Sequence, residues 1–199
     1  MPPTCPVVSC AGHPVTLLFA EAIRTADASY LWHEAVGLEE APSALRTWGE
    51  AIRLMARFAP HYLEWVDRLL RYLIPLKAES ADAIRSGSNV YEPGLIHVST
   101  RCVPAALAEM LVHEVTHHYY YLACRLGPAD DGSDATLHWS PVKRTGRPLH
   151  YILISYHAFA NVLLFCRECR AAGYPDADGY MARNEMLLSS WLDELARPL

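Results

Sequence analysis

The feature that most constrains this chain is the pentad His113-Glu-Val-Thr-His117, which lies within a long apolar stretch. On a helix, residues four apart share one face about a turn apart, so both imidazoles can reach a single metal ion. Glu114 follows His113 directly and points roughly 100° around the helix, beside such an ion. The spacing therefore predicts a metal site in which Glu114 can handle the proton of a bound water.

The surrounding residues favour a helix over about 104–126. Pro104 suits the first turn, the following residues are rich in Ala and Leu, and Gly127-Pro128 is a stop signal. Apolar residues recur at a core-facing spacing, at Leu107, Leu111, Val115 and Leu122. The alternative is a helix in which both histidines form ordinary hydrogen bonds, on the surface or in the core, and bind no metal. The position of the pentad near the middle of the helix favours metal binding.

Composition predicts a single globular domain over residues 1–199, with an irregular N-terminal segment over 1–14. Apolar residues make up 52% of the chain and charged residues 20%, which argues against disorder. A net charge of -5 gives no electrostatic case for a nucleic-acid partner. No signal-peptide pattern and no long uncharged apolar span are apparent. These features predict a cytoplasmic protein without a membrane partner.

The six cysteines are not expected to form a disulfide framework in such a protein. Cys166-x-x-Cys169 could form half of a zinc site, with Cys5 and Cys10 supplying the other half. The run that contains the CxxC pair resembles a buried helix, however, where cysteine commonly acts as a small hydrophobe. A structural zinc site is therefore the less favoured interpretation.

Periodicity predicts a mainly α fold with one or two short strands, in which the metal site lies between the HExxH helix and a later helix. Helices are expected at 15–36, 42–58, 61–76, 104–126, 149–172 and 181–196. The β-branched run over 94–100 is expected to form a strand. Such a strand before the metal helix would suit an extended peptide laid beside the metal, although a purely structural strand is an equal alternative.

A third protein ligand is expected, because two histidines do not complete a metal site. His118 points away from His117 on the same helix and is rejected. His138 remains a further candidate. The other candidates, His150, His157 and Glu168, return to nearly the same face of the 149–172 helix but lie too far apart for more than one to bind. His157 is central, with Asn161 one turn on as a possible supporting partner, and is the preferred ligand.

The pentad alone is typical of zinc peptidases, but the longer HExxHxxGxxH signature is absent, since positions 120 and 123 are Tyr and Ala. Three segments together are more specific: Gly94-Leu-Ile-His-Val-Ser, Ala108-Glu-Met-Leu-Val-His-Glu-Val-Thr-His117 and Ser140-Pro-Val-Lys-Arg-Thr-Gly-Arg-Pro-Leu149. Over roughly residues 40–170 the chain resembles the HEXXH-motif family that modifies ribosomally made peptides in natural product biosynthesis. That family includes iron- and 2-oxoglutarate-dependent peptide β-hydroxylases.

The resemblance implies Fe(II) at His113 and His117, with His157 as the third position, a 2-oxoglutarate co-substrate and a peptide substrate. A 2-oxoglutarate enzyme needs a cation for the distal carboxylate, and arginine binds it best through its bidentate fork. Arg147 is the candidate, because Pro148 restricts its backbone conformation. Lys143 lies close to it in sequence. The alternative is that Arg147 pairs with a structural carboxylate.

Three hypotheses stay open at this point. The first is an iron- and 2-oxoglutarate-dependent dioxygenase that hydroxylates a peptide. The second is a zinc hydrolase or peptidase with Glu114 as general base, because three histidines suit zinc as well as iron, which usually takes two histidines and a carboxylate. The third is a non-catalytic, metal-stabilised peptide-binding domain.

Overall fold

The structure is a computed structural model, and it describes residues 5–25, 34–77 and 84–199. The helices are α1 (Ala20–Thr25), α2 (Ala41–Phe58), α3 (Pro60–Leu69), α4 (Pro104–Cys124), α5 (Leu149–Ala171) and α6 (Tyr180–Leu195). The strands are β1 (Val7–Ser9), β2 (Pro14–Leu17), β3 (Tyr72–Leu76), β4 (Ser86–Ser88), β5 (Leu95–Ser99), β6 (His138–Ser140) and β7 (Thr145–Arg147). Groups of strands and groups of helices follow one another along the chain, and the pentad lies on α4.

Five of the strands form one mixed sheet, in the order β1-β2-β3-β5-β4. The three inner strands run parallel, while β1 and β4 pair antiparallel at the two edges. Strands β6 and β7 form a separate hairpin. The prediction of a mainly α fold with one or two short strands is therefore wrong, because a full sheet packs against the helices.

Two stretches that were predicted as helix each contribute a strand to this sheet. In the stretch predicted as a helix over 15–36, β2 ends at Leu17, helix α1 covers Ala20–Thr25 and residues 34–36 are not helical. Residues 26–33 lie outside the described part of the chain. The helix predicted over 61–76 ends at Leu69, and Tyr72–Leu76 forms a central strand. The N-terminal segment predicted to be irregular over 1–14 contains β1.

The physical reason for these errors is burial on both faces of a parallel sheet. Strand β3 lies between β2 and β5, and its residues 73–76 are all buried. A strand that is buried on both faces reads as a continuous apolar run rather than an alternating one. Such a run cannot be separated from a buried helix by periodicity alone.

The remaining predicted elements are confirmed within a few residues at their ends. They are the helices predicted over 42–58, 104–126, 149–172 and 181–196 and the strand predicted over 94–100. One detail of α4 is wrong, because Leu122 was expected to face the core and its side chain is exposed. The last turn of α4 therefore leaves the core, whereas Leu107, Leu111 and Val115 are fully buried.

Helix α4 is central, because it packs against α2, α3 and α5 and also against β4 and β5. Helix α5 lies between α4 and α6. By length and composition alone, α5 is apolar enough to cross a membrane. The core helix of a soluble protein meets the same criterion, so this is weak evidence about location. These contacts set the pentad on α4 opposite one face of α5.

Asp67, at the end of α3, holds the loop between β1 and β2. Its Oδ1 accepts hydrogen bonds from the backbone N–H groups of Ala11, Gly12 and His13 at 2.8–3.0 Å. Its Oδ2 lies 2.6 Å from Nδ1 of His13. Burial acts to raise the pKa of Asp67, but the three backbone donors and the His13 ring outweigh it and hold the pKa well below its usual range.

We expect Asp67→Asn to lower the free energy of unfolding at pH 7 by roughly 2–3 kcal/mol, because a charged acceptor of several N–H groups is lost. The folded-state pKa lies below the unfolded one, so this contribution is present above pH ~4 and declines as the pH falls further. Urea denaturation between pH 7 and pH 3 measures it, with the exposed Asp193→Asn as the control. If Asp67→Asn lowers the free energy of unfolding by the same amount at pH 7 and at pH 3, the role assigned to the Asp67 carboxylate is wrong.

Candidate metal centre

Helix α4 brings the two histidines of the pentad together. Nε2 of His113 and Nε2 of His117 are 3.1 Å apart, and the two rings meet at an interplanar angle of 85°. Two nitrogens at that separation can both lie ~2.1 Å from one ion, as histidine ligands do. The structure thus gives both imidazoles the arrangement that a shared metal ion requires.

Burial keeps both rings in the form that can bind a metal. Desolvation, aided by the charge of Lys143, lowers the pKa of His113 to about 4. Desolvation, aided by His113, likewise lowers the pKa of His117 to about 4. Both rings are therefore neutral at pH 7, and each has a nitrogen lone pair available for coordination.

Glu114 completes a group of three potential ligands with His113 and His117, whose ligand atoms all lie within 4.8 Å of one another. Its side chain is almost fully buried, and its Oε1 lies 4.0 Å from Nε2 of His113. In the described residues no lysine or arginine pairs with this carboxylate. A cation held by the two histidines would supply the missing positive charge, so the donor set fits a metal ion.

His157, the preferred third ligand, is not brought into this group. It does not line the cavity at the pentad, and its ring lies 5.9 Å from that of Tyr120, centroid to centroid. Asn161 donates to the backbone carbonyl of His157 and not to its ring. The Nδ1 atom of His157 is buried without a hydrogen-bond partner among the described residues. Its role as a ligand stays a prediction.

The other candidate ligands have different partners. Nε2 of His118 lies 3.2 Å from the carbonyl oxygen of Leu95. His138 pairs with Asp134 at 2.7 Å. Glu168 pairs with His61 at 2.9 Å, which leaves His150 as the candidate that lines the cavity. Among the described residues, the ligand atoms of the cysteines are not close enough together to form a metal site. The group found there is the one at the pentad.

A cavity of about 360 Å³ opens at the pentad, in the size range of small-molecule sites. Its walls come from α4, α5, strand β4 and the β6–β7 hairpin with the residues after it. The lining residues are Ser86, Gly87, Ser88, His113, Glu114, His117, Tyr120, Tyr121, Val142, Lys143, Arg147, His150, Tyr151, Ile154, Ser155 and Phe159. Both cations predicted from the sequence, Arg147 and Lys143, therefore share one cavity with the pentad.

The Arg147 side chain contacts an aromatic ring of α5. Its guanidinium carbon lies 4.0 Å from the centroid of the Tyr151 ring, a cation–π contact. Among the described residues, neither Arg147 nor Lys143 forms an ion pair with a carboxylate. The alternative in which Arg147 pairs with a structural carboxylate thus finds no support within these ranges, and both cations are available to an anionic ligand.

Several cavity residues were missed by sequence reasoning. The tyrosines Tyr120 and Tyr121 follow His117 by three and four residues, and this helical spacing could have indicated them. Ser86 and Ser88 lie in a polar stretch that gave no periodic signal. Their alternation around Gly87 is the pattern of a short strand that directs two hydroxyls to one face.

Comparison with models of known protein families and with curated protein sequences gives no match to this chain. A function for this chain is therefore proposed from the cavity, from the residues that line it and from the resemblance of the three sequence segments.

Proposed function

We propose that the protein is an Fe(II)- and 2-oxoglutarate-dependent hydroxylase that acts on a ribosomally made peptide, in the cytoplasm. The observation that carries this proposal is the shared cavity. Two neutral histidines with a carboxylate lie in it, and two cations without carboxylate partners in the described ranges lie in it as well. Two neutral imidazoles suit a divalent metal ion, and two cations suit an anionic co-substrate, so both partners could bind at one site.

Each residue has a distinct part in this proposal. His113 and His117 would hold the metal, which together with 2-oxoglutarate would supply the oxidising power. Arg147 would bind the distal carboxylate of the co-substrate through its planar fork, with Lys143 adding charge at the rim. The aromatic side chains of Tyr121, Tyr151 and Phe159 would limit the entry of water.

The sheet supports the peptide part of the proposal, but through a different strand from the one first expected. Strand β5 pairs on both sides, with β3 and with β4, so it offers no free edge. Among the described residues, strand β4 lies at the edge of the sheet opposite β1, and its three residues line the cavity. An extended peptide could pair with such an edge while one side chain enters the cavity.

The experiment is anaerobic loading with Fe(II), followed by calorimetric titration with 2-oxoglutarate and, after oxygen is admitted, measurement of succinate. We expect micromolar binding and slow succinate formation even without a peptide. Glutarate (the analogue without the 2-oxo group) is the control ligand and should bind more weakly. A metal-loaded protein that binds no 2-oxoglutarate would refute the proposal.

A zinc hydrolase is the second candidate, because Glu114 is held close to the two histidines. In that case Glu114 would take the proton of the attacking water. The zinc-loaded protein would then cleave a fluorogenic peptide library, and Glu114→Gln would abolish cleavage without removing the zinc.

A further inference from the structure

Strand β4 and helix α4 are joined by two hydrogen bonds to a single carboxylate. The Ser86 hydroxyl donates to Oε1 of Glu114 at 2.6 Å, and the Ser88 hydroxyl donates to Oε2 at 2.7 Å. Residues two apart in a strand point to the same face, so both serines face α4. We call this arrangement of Ser86, Ser88 and Glu114 the serine clamp.

The residue between the two serines keeps the clamp in register. Gly87 pairs with His97 on β5, and a Cβ atom at position 87 would lie 2.2 Å from Nε2 of His97. The imidazole of His97 therefore occupies the space that a side chain at position 87 would need. The Ser-Gly-Ser sequence is thus constrained on both faces of β4, by Glu114 on one side and by His97 on the other.

The clamp limits what Glu114 can do. An ionised carboxylate can accept about four hydrogen bonds, and the serines occupy one position on each oxygen. A glutamate has three rotatable side-chain bonds, and Oε1 lies 4.0 Å from Nε2 of His113. Without the two hydroxyls, the carboxylate would be free to rotate towards an ion bound by the two histidines.

We propose that Ser86 and Ser88 are positioning residues that hold Glu114 beside the metal as a fixed hydrogen-bond acceptor and keep it from becoming a metal ligand. This proposal rests on the metal centre described under the proposed function, but not on whether the reaction is hydroxylation or hydrolysis. The same two hydrogen bonds connect β4, the strand proposed to pair with a peptide, to helix α4, which carries the two histidines.

The test uses the double variant Ser86→Ala/Ser88→Ala loaded with Co(II), whose visible spectrum reports the ligands around the ion. We expect the Co(II) dissociation constant to stay the same or to fall, while the spectrum changes as Glu114 gains access to the ion. The kcat of the catalysed reaction, whether hydroxylation or hydrolysis, should fall roughly 10- to 100-fold, as for other supporting partners of metal sites, with KM little changed. Adding Glu114→Gln should remove the spectral change.

Two further variants separate positioning from simple strand anchoring. Ser86→Thr/Ser88→Thr keeps both hydroxyls and should restore the parent spectrum. Ser99→Ala removes a hydroxyl that accepts a hydrogen bond from the backbone N–H of Arg85, just before β4, without touching Glu114. It should lower the melting temperature and leave the spectrum unchanged.

The outcomes distinguish this inference from the proposed function. A Co(II)-loaded serine double variant that differs from the parent only in melting temperature, as Ser99→Ala should, would overturn the clamp alone. A parent that binds Co(II) but not 2-oxoglutarate would overturn the hydroxylase, while the spectral test of the clamp would still stand. A parent that binds no Co(II) would overturn both.

Discussion

Replacing His117 with alanine should abolish stoichiometric metal binding. Structural metal sites with about four protein ligands have binding free energies of ~10–16 kcal/mol, so the loss of one ligand costs about 3 kcal/mol or more. This corresponds to a drop in affinity of at least ~100-fold. The drop should be large here, because the two Nε2 atoms, 3.1 Å apart, are the closest pair of potential ligands at the site. Turnover should fall at least in proportion.

The measurement is a competitive titration with Fe(II) or Zn(II), combined with elemental analysis of the purified protein. His138→Ala is the control, because His138 pairs with Asp134 and lies outside the group of His113, Glu114 and His117. It should keep its metal. His157→Ala tests the third ligand directly: a loss of affinity comparable to that of His117→Ala would place His157 at the ion.

The His117→Ala variant also tests the hypothesis of a non-catalytic, metal-stabilised domain. The hydrophobic core of this chain extends through the sheet and through the helices α2 to α6. We therefore expect the metal-free His117→Ala protein to stay folded, with a melting temperature close to that of the metal-free parent. Unfolding of both metal-free proteins at room temperature would instead support a metal that acts mainly as a structural element.

How far the sequence predicts this site depends on the range of the contacts involved. The pairing of His113 with His117 is a property of one helix, so spacing alone was sufficient. Arg147 and Lys143 line the same cavity as the pentad, and their part in binding a co-substrate stays a prediction. In contrast, Ser86 reaches Glu114 across 28 positions of sequence, and no local pattern encodes that contact.

In the fold, too, the elements with a local sequence pattern were predicted and those that depend on long-range contacts were missed. Helices α2, α4, α5 and α6 were found because each has a clear helical pattern or clear end signals. Strand β3 was missed because Leu73, Ile74 and Leu76 are buried by neighbours on both sides of the sheet, which removes the alternation that marks a strand. Pro75 within this run was a usable warning against a helix. The identity of its neighbours, β2 and β5, is set by tertiary packing.

Replacing Arg147 with methionine should raise the KM for 2-oxoglutarate by roughly 10- to 100-fold, because a charge-assisted, bidentate hydrogen-bonded pair contributes about 1.5–3 kcal/mol. Methionine keeps much of the aliphatic length, so the contact with Tyr151 loses its charge but not its packing. Arg147→Lys should recover part of the affinity, since lysine keeps the charge and loses the fork. Steady-state kinetics of succinate formation and calorimetry of co-substrate binding measure both variants.

The control and the competing hypothesis make this prediction decisive. Arg68→Met removes an exposed arginine of α3 that pairs with Glu64, and it should leave the KM unchanged. If the protein is a zinc hydrolase, Arg147→Met should leave the cleavage of small neutral peptides almost unaffected, because no step then needs an anion at this position. An unaltered 2-oxoglutarate KM in Arg147→Met would show that the anion binds elsewhere. A selective rise in KM, with metal affinity unchanged, would place the co-substrate carboxylate at Arg147.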